Sequence, residues 1–264
     1  MTRIHPSAIV DKGAEIGNDV EIGPFCVVER DVVIQPGVKL HPQVFVRSHT
    51  RIGEGTEVFS GTVLGGEPQS TGFRGEKSYL IIGRNNLIRE FCTLHRATGE
   101  GNATRIGDNN MIMAYCHVAH DSQLGDNIVM ASHSGMAGHA IIEDRVTFGA
   151  LSGVHQYCRV GTLAMIGGYA KVVQDVPPYM MVDGQPARVV GPNTMGLRRA
   201  SISPEARSAV KAVFRMVWRS DLNMTQAIER IEREVPEFEE VTRLVEAIKR
   251  MREGSLGRSA HEHE

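Results

Sequence analysis

Six of the eleven histidines, His95, His117, His120, His133, His139 and His155, fall in the middle of the chain. An imidazole titrates near neutral pH, so it can take up a proton, return it, or ligate a metal. The densest run is HVAHD, which sets His120 beside Asp121. A carboxylate next to an imidazole fixes its tautomer and stabilises its charged form, which is what a general base needs. Zinc would need three converging ligands. HVAHD with His139 offers no obvious closed triad, so a metal site is not expected. A single exposed histidine is usually just solvated, and only the clustering with an acid lifts these residues above that background.

The elements that carry these histidines are set by a six-residue period. From Ile4 to Val172 every sixth residue is hydrophobic except Ser70, Glu76 and Glu100; that is 26 of 29 positions, where random placement would fill about 12. Chance is excluded. A second phase four residues on carries small or β-branched residues, such as Ala8, Cys26, Val44, Thr62, Cys116, Ser134 and Ala164. Two residues apart on a strand point the same way, so both phases face inward. This is the hexapeptide pattern of a parallel β-helix. A three-sided coil takes about 18 residues and stacks on the next at about 4.8 Å. His120 then faces outward over Gly138, and Asp121 over His139. A bare glycine amide one strand spacing from a base suits an oxyanion donor.

Two interruptions, near 65–81 and 95–105, leave the phase intact and read as loops thrown out from corners, where function is usually found. The four cysteines, Cys26, Cys92, Cys116 and Cys158, all fall on the small inward phase. With no two of them expected one coil apart, they read as reduced core packing. The β-helix is expected over 1–178, an irregular connector over 179–202, a helical domain over 203–252 and a flexible tail over 253–264. Ser203-Pro204-Glu205 marks a helix start, an N-cap followed by proline at the first helical position. Arg207, Lys211, Arg215 and Arg219 then recur every fourth residue on one face of that helix. Such a stripe is either a solvated face or a dock for an acidic partner or a phosphate.

Composition limits the partners. The chain has 264 residues, 41% hydrophobic and 23% charged, with a net charge of -2. No global basic field exists to hold nucleic acid. No apolar run approaches the roughly 20 residues of a membrane span, and MTRIHPSAIVDKG lacks a signal-peptide pattern, so a cytoplasmic location is expected.

The segments IREFCTLHRAT, HVAHD, AGHAIIEDRV, GVHQYCRVG, QDVPPYM and GPNTMGLRRASIS occur in that order. In order and spacing the chain resembles the acyl-carrier-protein-dependent UDP-N-acetylglucosamine O-acyltransferases of lipid A biosynthesis over nearly its whole length. The resemblance implies an all-β left-handed parallel β-helix followed by a small α-helical domain. It also implies a homotrimer with its sites between neighbouring chains. The implied reaction moves a (R)-3-hydroxyacyl chain from acyl carrier protein to the 3-position of the UDP-sugar. The enzyme needs no cofactor of its own, since 4'-phosphopantetheine arrives on the carrier protein.

By the same resemblance His120 is the general base, Asp121 its partner and the Gly138 amide the oxyanion donor. Gln69, His117, His139, His155 and Gln156 line the sugar and acyl pockets, and Asn193 and Arg199 lie near the nucleotide phosphates. Gly168 sets acyl-chain length, and the basic stripe receives the carrier protein. Ser70, Gly72, Met195 and Ala200 depart from the family pattern around the sugar and phosphates. That leaves a 3-amino UDP-sugar as an alternative acceptor. The remoter alternatives are a zinc enzyme like the gamma carbonic anhydrases and a non-catalytic β-helix.

Overall fold

The computed structural model describes residues 1–253 and 257–258. Short strands, most of two residues, succeed one another in threes and build three sheets of eleven, nine and eight strands, parallel except for the last pair of the first sheet. Successive strands go to the first, second and third sheet in turn, so the chain winds as a three-sided prism. The ordinary partner spacing is 18 residues, as in Arg3↔Glu21 and His117↔Gly135. The second residue of nearly every strand is the six-residue aliphatic, and from Ile22 onward these side chains are buried in one continuous core.

Several polar residues on the small phase are buried with their hydrogen bonds met, as desolvation demands, while the buried Thr50 hydroxyl finds no partner among the described residues. The Asn86 amide donates to the Gly107 carbonyl at 2.9 Å and accepts from the Asn110 N–H at 2.9 Å. Asn110 repeats the pattern one coil on, donating to Gly125 at 3.0 Å and accepting from Ile128 at 2.7 Å. Corner residues take left-handed backbone, including Asp121 (φ 62) and His139 (φ 60). Asp, Asn and His tolerate that region better than most side chains.

The two loops leave from the same corner, between the second and third sheets. Partner spacing is 30 residues across the first (Leu64↔Leu94) and 24 across the second (Leu94↔Val118), so they add twelve and six residues to the coil. The 24-residue spacing corrects one expectation. Thr93 pairs with His117, so Cys92 and Cys116 are one coil apart and neighbours. All four cysteines are free and buried.

The connector is more regular than its sequence suggests. Met180–Gly184 adds to the first sheet beside Met165–Ile166 and forms an antiparallel hairpin with Ala187–Pro192. Among the described residues four α-helices follow: α1 (Thr194–Arg199), α2 (Pro204–Trp218), α3 (Met224–Glu234) and α4 (Glu239–Glu253). Ser203 caps α2 by accepting the Ala206 N–H at 3.1 Å. Val210, Val213, Ile231 and Leu244 form a second core that packs on Leu163, Tyr179 and Met180 of the prism. Among the described residues no helix is long and apolar enough to cross a membrane. The expected tail falls mostly outside them; His261 and His263 lie there.

Candidate active site

The corner between the second and third sheets brings the sequence-selected residues into columns. Strand His117–Val118 leads into Ala119, His120 and Asp121; one coil on, Gly135–Met136 leads into Ala137, Gly138 and His139; the next coil brings His155, Gln156 and Tyr157. His120 stands over Gly138 and Asp121 over His139, whose N–H donates to the His120 carbonyl at 3.1 Å. A β-carbon on Gly138 would lie 2.7 Å from His120 Cε1 and 2.9 Å from Nε2. Only glycine lets the imidazole lie against the backbone there. The Gly138 N–H has no acceptor among the described residues.

Asp121 is the hub. Its Oδ2 lies 2.8 Å from His120 Nδ1 and 3.7 Å from His139 Nε2. Thr98 of the second loop donates its N–H to both carboxylate oxygens at 3.1 Å and its hydroxyl to Oδ2 at 2.8 Å. The Asp121 N–H in turn donates to Thr104 Oγ1 at 2.8 Å. Burial favours the protonated acid, but the hydrogen bonds from His120 and Thr98 and the charge of His139 outweigh it and hold the carboxyl below its usual range. The pair is sheltered, with 16% of the His120 side chain and 10% of that of Asp121 exposed. With the carboxylate accepting at Nδ1, Nε2 is the imidazole's free acceptor.

Two further imidazoles are pushed toward their neutral form. Burial, with the charges of His117 and His120, lowers His95 to about 4. Burial also lowers His117, whose Nδ1 is 2.8 Å from Thr93 Oγ1. The His95 and His117 rings meet edge to face at 5.0 Å, and those of His120 and His139 at 5.5 Å. The Tyr157 ring stacks on the other side of His139 at 4.8 Å. Donor atoms of His120, Asp121 and His139 all lie within 4.8 Å of one another. This three-residue set could hold a metal ion, which the sequence spacing did not suggest.

Other candidates sit apart. His133 is on the corner between the first and second sheets, stacked on Tyr115 at 4.8 Å. Gly168 is exposed on that same corner, across the second sheet from His120. A groove of about 420 Å³ crosses that sheet over Gly153, from His155 to Leu151 and Tyr169. Gln69 is exposed on the first loop, where the Gly72 N–H turns back to Ser70 Oγ at 3.3 Å. Asn193 caps α1, accepting from Gly196 at 2.9 Å and donating to the Leu163 carbonyl at 2.8 Å. Arg199 is exposed at the end of α1, near exposed Met195 and half-buried Ala200.

Along α2, Lys211 and Arg215 are exposed and Arg207 half-buried, while Arg219 folds over the Phe214 ring at 5.6 Å. None of the four has an ion-pair partner among the described residues. A cleft of about 760 Å³ lies elsewhere, between α4 and the prism, and is walled by acids and bases such as Glu143, Asp175, Arg159 and Arg243. Sequence reading passed over Thr98 and Thr104. The second loop carries six extra residues and returns beneath HVAHD, a path that the six-residue phase does not describe.

Comparison with known proteins agrees with this architecture. Residues 103–138 match the bacterial transferase hexapeptide model, and residues 175–256 match domain 2 of UDP-N-acetylglucosamine O-acyltransferase. An acyl-[acyl-carrier-protein]–UDP-N-acetylglucosamine O-acyltransferase of Halorhodospira halophila is 40% identical over 97% of this chain and 100% of its own. One from Gloeothece citriformis is 42% identical over 88% of this chain and 84% of its own. The solved UDP-N-acetylglucosamine acyltransferase of Bacteroides fragilis superimposes with a TM-score of 0.90 at 38% identity, covering 93% of this chain and 96% of that one. The prism is thus a left-handed parallel β-helix carrying a small helical domain. With likeness running through prism, corner and helices alike, the chain belongs to the acyl-[acyl-carrier-protein]–UDP-N-acetylglucosamine O-acyltransferase family.

Proposed function

We propose that this enzyme transfers a (R)-3-hydroxyacyl chain from acyl carrier protein to the 3-hydroxyl of UDP-N-acetylglucosamine, the first step of lipid A biosynthesis. The observation that carries the mechanism is the His120–Asp121 pair lying against Gly138. His120 Nε2 removes the proton from the sugar hydroxyl as its oxygen attacks the thioester carbonyl. The developing oxyanion is held by the Gly138 N–H. The new C–O bond forms, the C–S bond breaks, and His120 returns its proton to the departing thiolate of phosphopantetheine. Asp121 keeps the imidazole in the right tautomer and stabilises its charged form. The proton transfers and the oxyanion contact use side chains and backbone alone, without a metal or a resident cofactor.

His117, His139, His155 and Gln156 bind sugar and acyl groups on the same corner, and Gln69 and Arg199 grip the nucleotide-sugar. Asn193 organises α1, which carries Arg199. The acyl chain runs along the groove over Gly153 toward a corner of the Gly168 type. Because that corner lies across the sheet from His120, the complete pocket belongs to a homotrimer, with a neighbouring chain closing each site. The exposed arginines and lysine of α2 receive acyl carrier protein, and the enzyme works in the cytoplasm.

Kinetics with 3-hydroxyacyl carrier proteins test this reading. His120→Ala lowers kcat by roughly 10² to 10⁴ and leaves UDP-sugar binding within a few fold. Wild-type kcat in that variant removes the general-base role. Because Ser70 and Gly72 are uncharged where the first loop departs from the family pattern, the assay runs both UDP-N-acetylglucosamine and its 3-amino analogue. A strong preference for the amine makes the enzyme an N-acyltransferase.

A further inference from the structure

Asp121 can serve His120 only if its carboxylate holds still, for His139 lies 3.7 Å from the same oxygen and competes for it. On its own coil the carboxylate is held by His120 itself, at 2.8 Å. The further restraint comes from the loops. Thr98 contributes its N–H and its hydroxyl to the carboxylate. The second loop that carries Thr98 is fastened in turn to the first loop. Glu76 Oε1 accepts the Gly99 N–H at 3.0 Å, Glu100 Oε2 accepts the Lys77 N–H at 2.9 Å, and the Ser78 hydroxyl donates to the Ala97 carbonyl. The Arg96 guanidinium lies over the Phe73 ring at 5.0 Å. The side chain of Asn102 closes the turn by donating to the Thr98 carbonyl at 3.0 Å.

We propose that Thr98 is a positioning residue for catalysis, holding the Asp121 carboxylate toward His120, and that Glu76 acts through it by fixing Gly99. The proposal rests on the reading of His120 as the base. It assigns the six extra residues of the second loop a purpose, the delivery of a two-pronged donor to the coil above. It also ties the loop that carries Gln69 to the catalytic carboxylate through one peptide, Thr98–Gly99.

The sign of the electrical effect follows from the donors. The two donors of Thr98, its N–H and its hydroxyl, draw charge from the carboxylate. Without the hydroxyl the carboxylate is a stronger base, binds the imidazolium proton more tightly, and moves the acidic limb of the pH–rate profile upward. Freed to pivot, it also leaves His120 in the right tautomer for a smaller share of the time.

The test compares Thr98→Val, Thr98→Ser, Glu76→Ala and the double Thr98→Val/Glu76→Ala with His120→Ala, using acyl carrier protein thioester and UDP-sugar. Thr98→Val is expected to lower kcat roughly 10- to 100-fold with both KM values within about twofold. Its acidic limb is expected to rise by about half a unit or more. Thr98→Ser restores both quantities. Glu76→Ala changes both in the same direction by less, and the double variant loses no more than Thr98→Val alone, as coupling through one residue requires. A Thr98→Val enzyme with unchanged kcat and acidic limb overturns the proposal. So does a loss that appears only as raised KM and a lowered melting temperature, which would make the loop merely structural. Activity retained in His120→Ala would instead remove the base on which the proposal rests, so the two failures are distinguishable.

Discussion

At the scale of single side chains, the imidazoles of this site live in different surroundings, and each has its own consequence. His95 is 8% exposed and its Nδ1 has no hydrogen-bond partner among the described residues, so the fold holds it neutral, with its pKa lowered from 6.5 to about 4. As pH falls through about 6.5 the unfolded chain takes up a proton there that the folded chain refuses, so stability falls with pH. The contribution is complete above pH 6.5 and about 2 kcal/mol smaller at pH 5. Thermal melts across that range should show a falling midpoint, and His95→Gln should flatten the slope; an equal slope in the variant removes His95 as its source. The meeting of His120, Asp121 and Gly138 was legible in the sequence because Asp121 follows His120 directly and Gly138 lies one plain coil on. Thr98 was not, because its partner lies across a loop whose path no periodicity describes.

Among the elements, α2 shows how a helix divides its labour. Ala206, Val210, Val213 and Phe214 are buried against the rest of the helical domain, which leaves Lys211 and Arg215 facing water on the opposite side. Charges so placed act on encounter more than on folding. Arg215→Glu should raise the apparent KM for acyl carrier protein several-fold and weaken its salt dependence, with the melting temperature unchanged. Saturation curves at low salt check this, and an unchanged KM reduces the stripe to a solvated face.

The strands of the prism and the start of α2 could be read from the sequence, since six-residue phase and an N-cap with proline are local signals. The hairpin of Met180–Gly184 and Ala187–Pro192 could not. Pro177 and Pro178 end the repeat, and the next strand joins the first sheet by tertiary pairing. The neighbouring of Cys92 and Cys116 was hidden for a related reason, the spacing of 24 where 18 was assumed.

For the whole molecule, the corner between the first and second sheets is the conspicuous surface. Phe91, Tyr115, Leu151 and Tyr169 are all exposed along it, with Phe91 stacked on Tyr115 at 5.1 Å. Contiguous exposed apolar surface marks interaction sites, which supports the proposed trimer, a closed cyclic arrangement of three chains. Light scattering should give the mass of three chains. Tyr115→Glu should shift the protein toward single chains and lower activity with it. A fully active monomer would refute the shared site.

The two loops have one more effect, on how the coil finds its own alignment. A prism of near-identical turns has a translational ambiguity: slipping by one full turn keeps every inward residue inward, so the hydrophobic phase alone cannot forbid it. The separations of 30 and 24 residues interrupt that sameness. They act as index marks on an otherwise uniform screw, and the Asn86–Asn110 pair adds a third mark, since a shifted turn would leave a buried amide unsatisfied. The irregular segments that close over the reactive corner therefore also number the turns beneath it.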